Sequence, residues 1–364
     1  MTTLLVAAGG GGDVIGSLLI RRLVAPGEQP LIATCAWERL RIDPDPGPRA
    51  LTGFSLLGDL DGRQVEVRPD THTQPPGRST LPRLVQDTGA RVFVVELERG
   101  AVGVAQQLTH ILRALNANRA LVVDVGGDVI ASGDEAGLLS PLADALMLAG
   151  AFMTGVPVTL AVTGPGLDGE LSADEVGQRL KELKARRIGT VLPSDVEAMK
   201  PLLKWHPTEA SALLAAIALG IRGAVETRRG GAPVPLTSVS AAVWTLDIRD
   251  LEPFPIANGC LRTETLGEAE AVVDQFCPNE LRYERAKAAE MSPHTQHRTV
   301  PDLLQRAREV GATAPLTTTH TTMRRLLERL DAPPAMTDDL VKALEDNCRR
   351  DGPLWALREL ALLH

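Results

Sequence analysis

The chain has 364 residues, enough for a full hydrophobic core in one or two domains, with an ordinary 44% hydrophobic and 23% charged content. A net charge of −8 and only 3% aromatic residues argue against a nucleic-acid surface, which needs a basic face to displace counterions and rings on which bases stack. No apolar run approaches the ~20 residues of a membrane span, and the start of the chain has no basic region ahead of an apolar one, so neither a membrane protein nor a secretory leader is expected.

Residues 4–8 (LLVAA) read as a short buried strand that runs into Gly9, Gly10, Gly11, Gly12 and Asp13. Residues 14–24 have helical apolar spacing, and 31–37 read as a second strand. Residues 43–80 are rich in Pro, Gly, Asp and Thr and read as a long excursion outside the core. A strand at 91–97, a helix at 103–116 and a strand at 120–125 follow. Ser140 and Pro141 read as N-cap and first residue of the next helix. A continuous apolar strand spans 156–162, and Ser172 with Glu175 forms a capping box for a helix ending near Arg187. Thr208 is placed to cap a helix that stops at Gly220. Residues 235–248 read as one last strand, 291–300 as a linker, and the final 80 residues as mostly helical.

Continuous apolar strands alternating with helices predict an α/β fold: a Rossmann-like, largely parallel sheet with helices on both faces. That body is expected to span residues 1–280, with a C-terminal helical segment over 281–364. The four cysteines, Cys35, Cys260, Cys277 and Cys348, are far apart and lack zinc or redox spacing. They read as structural thiols of a reducing, cytoplasmic compartment.

Chemistry concentrates in glycine-and-acid turns at strand ends. In the first turn, a dinucleotide pattern aligned on Gly11 and Gly16 puts Asp13 at the middle position, where a carboxylate repels a pyrophosphate. Glu38 sits beyond Trp37 and so departs from ribose spacing. The turn is either a packing device or a loop whose N–H groups and Asp13 hold hydroxyls, an amine or a metal ion. In the second, Asp124 and Asp128 flank Gly126 and Gly127, with Glu135 downstream. Such acids chelate a divalent ion, bind sugar hydroxyls or divide into general acid and base; the plainer reading is a turn aspartate plus a helix-dipole partner. Asp144 reads as an ordinary first-turn acid. In the third, Gly164, Gly166 and Gly169 free the backbone around Asp168 and Glu170; the alternative is a plain loop closing on the Ser172 cap.

A fourth candidate is His206, Thr208, Glu209 and Ser211, which set hydroxyls at a helix start beside the only histidine suited to acid–base work. A surface-loop histidine is the alternative. Arg222, Arg228 and Arg229 are candidate anion binders or simply solvated; His294, His297 and His320 carry no assignment. The chain has no phosphate loop, nucleophile elbow or paired-histidine zinc helix.

These turns in order resemble the DUF1152 family of bacterial and archaeal proteins: AGGGGDVIGS at the start, DVGGD followed by SGDEAGLLSPLADALMLA, then GPGLDGELS and TEAS. The resemblance covers roughly residues 4–230, implies a Rossmann-like body and brings no activity with it. The residues themselves point to a small-molecule enzyme, hydrolysing or transferring a group at a C–N or C–O bond of a nucleoside, nucleotide or sugar derivative. In that reading Asp128 or Glu170 is the general base, and His206 is the candidate acid. Asp13, Asp124 and Asp168 bind hydroxyls or a divalent ion. The backbones of Gly10, Gly11, Gly12, Gly126, Gly127, Gly164 and Gly166, with Glu135, Thr208, Glu209 and Ser211, complete the ligand contacts. The rivals are a binding or regulatory protein without turnover and a nicotinamide-dependent oxidoreductase, which Asp13 disfavours. The expected partner is a small molecule, with neither nucleic acid nor membrane; self-association is left open.

Overall fold

The computed structural model describes residues 2–227, 232–290 and 298–363. Arg228, Arg229, His294 and His297, with most of the tract read as a linker, lie outside the described residues.

Nine strands form the main sheet: β1 Thr3–Ala7, β2 Leu31–Thr34, β3 Gly58–Leu60, β4 Arg63–Val67, β5 Arg91–Val94, β6 Arg119–Val125, β7 Val158–Thr163, β8 Arg186–Thr190 and β9 Ala242–Ile248. Their spatial order is β8-β9-β7-β6-β1-β2-β5-β4-β3. The five central strands, β7-β6-β1-β2-β5, are mutually parallel. They are the apolar runs of the sequence, and they read continuously because both faces are covered. Leu4 and Val6 face one core with α3 (Gly100–Ala114) and α4 (Leu142–Met153), while Leu5 and Ala7 face another with α1 (Gly11–Val24) and α2 (Leu81–Thr88).

The chain builds outward from β1 to β2 and β5, then returns to lay β6 and β7 on the other side. Strand direction of travel therefore reverses between β1 and β6, and the carboxyl ends of that pair open the crevice in which such folds bind ligands. Helix α1 sits tightly over this point. A methyl added at Gly16 would lie 2.2 Å from Val125 Cγ2 and 3.3 Å from Ser211 Oγ. Gly16→Ala is therefore expected to destabilise the fold by about 1–3 kcal/mol through overpacking, read as a lower denaturant midpoint; an unchanged midpoint would show that the strand can yield.

The edges depart from the sequence reading. Residues 58–67 are not an excursion: β3 and β4 form a hairpin that pairs antiparallel with β5. Its two connecting residues, Asp61 and Gly62, have φ of 50° and 84°, the positive-φ turn that suits strand twist. The capping box at Ser172 is present, but its helix, α5 Ala173–Glu182, ends early. Arg186 and Arg187 instead begin β8, an edge strand whose charged, exposed side chains mimic a helix surface. The segment 235–248 is divided. Val234–Leu236 joins a second sheet, while β9 inserts antiparallel between β7 and β8.

That second sheet pairs Gly223–Glu226 with Val234–Leu236 on one side and His320–Thr321 on the other, followed by Leu354–Ala356 and Arg350–Asp351. C-terminal helices are present as expected, at Val300–Ala312, Met323–Leu330 and Thr337–Asn347, around their own apolar cluster. The short strands that tie them to Gly223–Glu226 were not foreseen. Among the described residues no helix is long and apolar enough to cross a membrane.

Candidate functional site

Five carboxylates converge at the crevice between β1 and β6. Asp13 lies in the first turn of α1, and the Gly9 N–H donates to its Oδ2 at 2.7 Å. Asp124 is the penultimate residue of β6, paired across the sheet with Val162 of β7. Asp128 opens a single helical turn after Gly127, within hydrogen-bonding reach of Asp124. Asp144 lies in the first turn of α4, and Asp168 follows β7, its Oδ1 accepting the Glu170 N–H at 2.9 Å. One oxygen from each of Asp13, Asp124 and Asp144 lies within 4.8 Å of the other two. Asp124 and Asp144 are 1% and 3% exposed, and among the described residues Asp124 Oδ2 and Asp144 Oδ1 have no hydrogen-bond partner. Two helix N-termini aim their positive ends here, a partial offset for the accumulated charge.

Burial shifts Asp13, Asp124, Asp128 and Asp144 the same way. Burial pushes Asp13 up to about 7, against the pull of the Gly9 N–H and the Arg39 charge. Burial first, then neighbouring carboxylates, holds Asp124, Asp128 and Asp144 well above the usual carboxylate range.

The opposite wall is a hydrogen-bonded chain. Thr80 Oγ1 donates to Glu38 Oε1 at 2.5 Å, and the Thr80 N–H donates to the same oxygen at 2.7 Å. His206 Nε2 reaches Thr80 Oγ1 at 3.0 Å, while the Thr208 N–H donates to Nδ1 at 3.1 Å. Nδ1 is thus an acceptor and Nε2 carries the proton. Burial, with Arg83 nearby, lowers the His206 pKa to about 3. The unfolded ring protonates near 6.5, so the stability this neutral ring contributes is complete above that pH and is lost as pH falls toward 3. One proton corresponds to a slope of at most about 1.4 kcal/mol per pH unit. Unfolding of His206→Gln, compared with wild type between pH 7 and 4.5, is expected to lack that one-proton slope; parallel curves would refute it.

Above the cleft, Trp37 Nε1 donates to Glu284 Oε2 at 2.8 Å, and Arg39 bridges Glu280 and Glu284 at 2.7 and 3.1 Å. Both acids belong to the helix Glu280–Glu290. Arg324, from the C-terminal part, also lines the cleft. The cleft encloses a cavity of about 130 Å³.

Of the residues expected at a site, Gly12, Asp13, Asp124, Asp128, Asp168, His206, Thr208, Glu209 and Ser211 line this cleft. Ser211 Oγ donates to the Gly12 carbonyl at 2.8 Å, and the Thr322 hydroxyl donates to Glu209 at 2.6 Å. The others stand behind it. Glu170 accepts the Leu139 and Ser140 N–H groups, both at 2.8 Å, and the Ser140 hydroxyl. It latches that turn, which also removes Ser140 from the N-cap position, taken by Pro141. Glu135 accepts the Ser132 and Gly133 N–H groups and closes its own turn. Gly10 and Gly11 shape the entry to α1. Gly126, Gly127, Gly164 and Gly166 carry the turns behind the acids, where the Gly166 N–H bonds the Gly126 carbonyl at 2.9 Å. At Gly126, with φ 145°, a Cβ would meet Asp168 Oδ2 at 2.2 Å. Thr208 caps nothing: the helix Ala210–Ala218 begins after Glu209. Arg222 binds the carbonyls of Ile217 and Ile221 instead of an anion.

Sequence reasoning missed Glu38, Arg39, Glu280 and Arg324, and it took Asp144 for an ordinary helix acid. Glu38 had a usable signal. β2 ends at Thr34, so residues 35–38 run on to bring an acid to the crevice.

The architecture is that of a doubly wound α/β protein with an acid-lined cleft at its switch point. The chain belongs to the DUF1152 family, whose model, described as a protein of unknown function, matches residues 4–288. The match takes in all five aspartates and Glu284, and stops before Arg324. No match was found among curated proteins or among solved structures.

Proposed function

We propose that the chain is an enzyme acting on a small polyhydroxylated ligand, a nucleoside, nucleotide or sugar derivative, by hydrolysis or group transfer at a C–N or C–O bond. The observation that carries this reading is the Asp124–Asp128 pair. Two carboxyl groups stand within hydrogen-bonding reach; burial raises both, helped at Asp124 by the charges of Asp13 and Asp168 and at Asp128 by those of Asp144 and Asp124. A carboxyl group raised in this way can take up and return a proton near neutral pH. Asp128, at the cleft surface, is assigned the base that takes a proton from the attacking water. Asp168 and Glu38 bind hydroxyls. All three hydrogen bonds to Glu38 fall on Oε1, which leaves Oε2 as an acceptor near the place where this fold reads a ribose.

His206 is assigned a positioning role, because both ring nitrogens are engaged and the ring is neutral. Glu170 is a latch and not a second base. A nicotinamide cofactor finds little support, since Asp13 already occupies the Gly9 N–H that a pyrophosphate would need.

The test is a thermal-shift screen of the full chain with nucleosides, nucleotides, sugars and NAD(P), followed by product analysis of each hit. Stabilisation with a cleaved or transferred product supports the enzyme. Stabilisation without product favours a binding protein, and a response to NAD(P) alone would replace the reading.

A further inference from the structure

We propose that Asp13, Asp124 and Asp144 hold one hard divalent cation, of the Mg²⁺, Mn²⁺ or Ca²⁺ class, at the floor of the cleft. The proposal deepens the reading above, which places polar-ligand chemistry in this cleft, and its test needs no substrate.

Three independent observations converge. The first is geometry. Two oxygens on opposite sides of an ion held at about 2.4 Å are about 4.8 Å apart, and the three aspartate oxygens lie within 4.8 Å of one another. Three oxygens so placed lie within about 2.8 Å of a common centre, and shifts of a few tenths of an ångström bring all three to one ion. The second is the pair of orphaned acceptors. Among the described residues Asp124 Oδ2 and Asp144 Oδ1 have no hydrogen-bond partner, and the two aspartates are 1% and 3% exposed. Buried carboxylate oxygens without donors are rare unless something absent supplies the positive charge. The third is the lack of a protein cation. Among the described residues no Lys or Arg forms an ion pair with Asp13, Asp124, Asp128 or Asp144. Arg39, whose charge is felt at Asp13, is engaged by Glu280 and Glu284.

The donor set is all oxygen and all carboxylate, which selects hard cations over zinc or copper. Three protein ligands leave positions for water or for ligand oxygens. The three residues come from separate rigid elements, two helix first turns and a strand end, so the site is preorganised. Asp128 stands beside it, within reach of Asp124, where a water held by the ion would meet the proposed base.

The experiment is calorimetric titration of the EDTA-treated, desalted full chain with Mn²⁺, repeated with Mg²⁺ and Ca²⁺. One ion per chain is expected. Asp124→Asn and Asp144→Asn, each checked for fold by circular dichroism, are expected to weaken binding about 10-fold or more. No binding of any of the three ions up to about 10 mM, above the weakest protein calcium sites, would overturn the proposal. So would binding that both folded variants retain unchanged. If neither variant folds, the anomalous signal of manganese in crystals of the unaltered chain decides: a peak among the three aspartates supports the site, and a peak elsewhere or none refutes it.

Discussion

Asp128→Asn is expected to fold normally and to lose turnover by about 10²-fold or more, the usual scale of general acid–base loss. The amide has nearly the shape of the carboxyl, and Asp128 opens its helical turn with the backbone set by Gly127, not by its own side chain. The substitution also takes one acid out of a crowded group. Asp144, Asp124, Asp168 and Glu170 all push the Asp128 proton affinity up, so removing it relieves repulsion and leaves stability level or higher. What disappears is the carboxylate assigned as the base. The measurement is steady-state turnover on a substrate from the screen, beside a thermal melt. Full turnover in a folded variant would move the chemistry elsewhere, and loss of fold would make Asp128 structural. Glu170→Gln gives the contrast. It disturbs the latch on Leu139 and Ser140, so its effect is expected in the melt before it appears in proton transfer.

Arg39→Ala is expected to destabilise the protein by about 3–5 kcal/mol, the range for breaking a buried ion pair from one side. Arg39 is 19% exposed at its side chain, and its two partners, Glu280 and Glu284, are 2% and 8% exposed. Without the guanidinium, two carboxylates one helical turn apart remain buried against Trp37. The Arg39 charge, with the Trp37 N–H, overcomes burial and holds Glu284 below the usual carboxylate range. The guanidinium also sits 5.5 Å from the Trp37 ring, a smaller contribution of about 0.5–2 kcal/mol. Because the loss is mostly the cost of stranded charge, adding Glu284→Gln to Arg39→Ala should recover part of it. Denaturant unfolding of both singles and the double tests this, and strictly additive costs would show that the three groups do not act together.

The central sheet was legible because its signal is local. Apolar runs of four to seven residues, three of them ending in glycine turns, read as buried strands feeding helices, and each of the five lies where its pattern put it. The hairpin at 58–67 was hidden by composition, although Asp61-Gly62 is the dipeptide that such turns favour. β8 was hidden because edge strands carry charge. The strands of the second sheet within the C-terminal part have two or three residues, too few to show any period. The site divides in the same way. Asp13, Asp128 and Asp168 follow glycine turns and Asp124 stands just before one, and the position of these turns marks a strand end. Asp144 looks like any acid in a first helical turn, and only the placement of α4 over β6 makes it something else. Arg39 and Glu280 meet across 241 residues of sequence, a pairing that no local pattern encodes.

That separation has a consequence in time. During synthesis the crevice acids through Asp168 are complete while the helix Glu280–Glu290 and Arg324 have yet to emerge. At about 5–20 residues per second, the chain from Asp168 to Arg324 takes about 8–30 s to make. Over that interval the aspartates are open to solvent and keep ordinary hydration, and the wall that desolvates them closes only near the end. A nascent chain is thus spared an enclosed cluster of like charge until the helix that seals it is available, and any activity of the cleft would be withheld until translation is nearly finished.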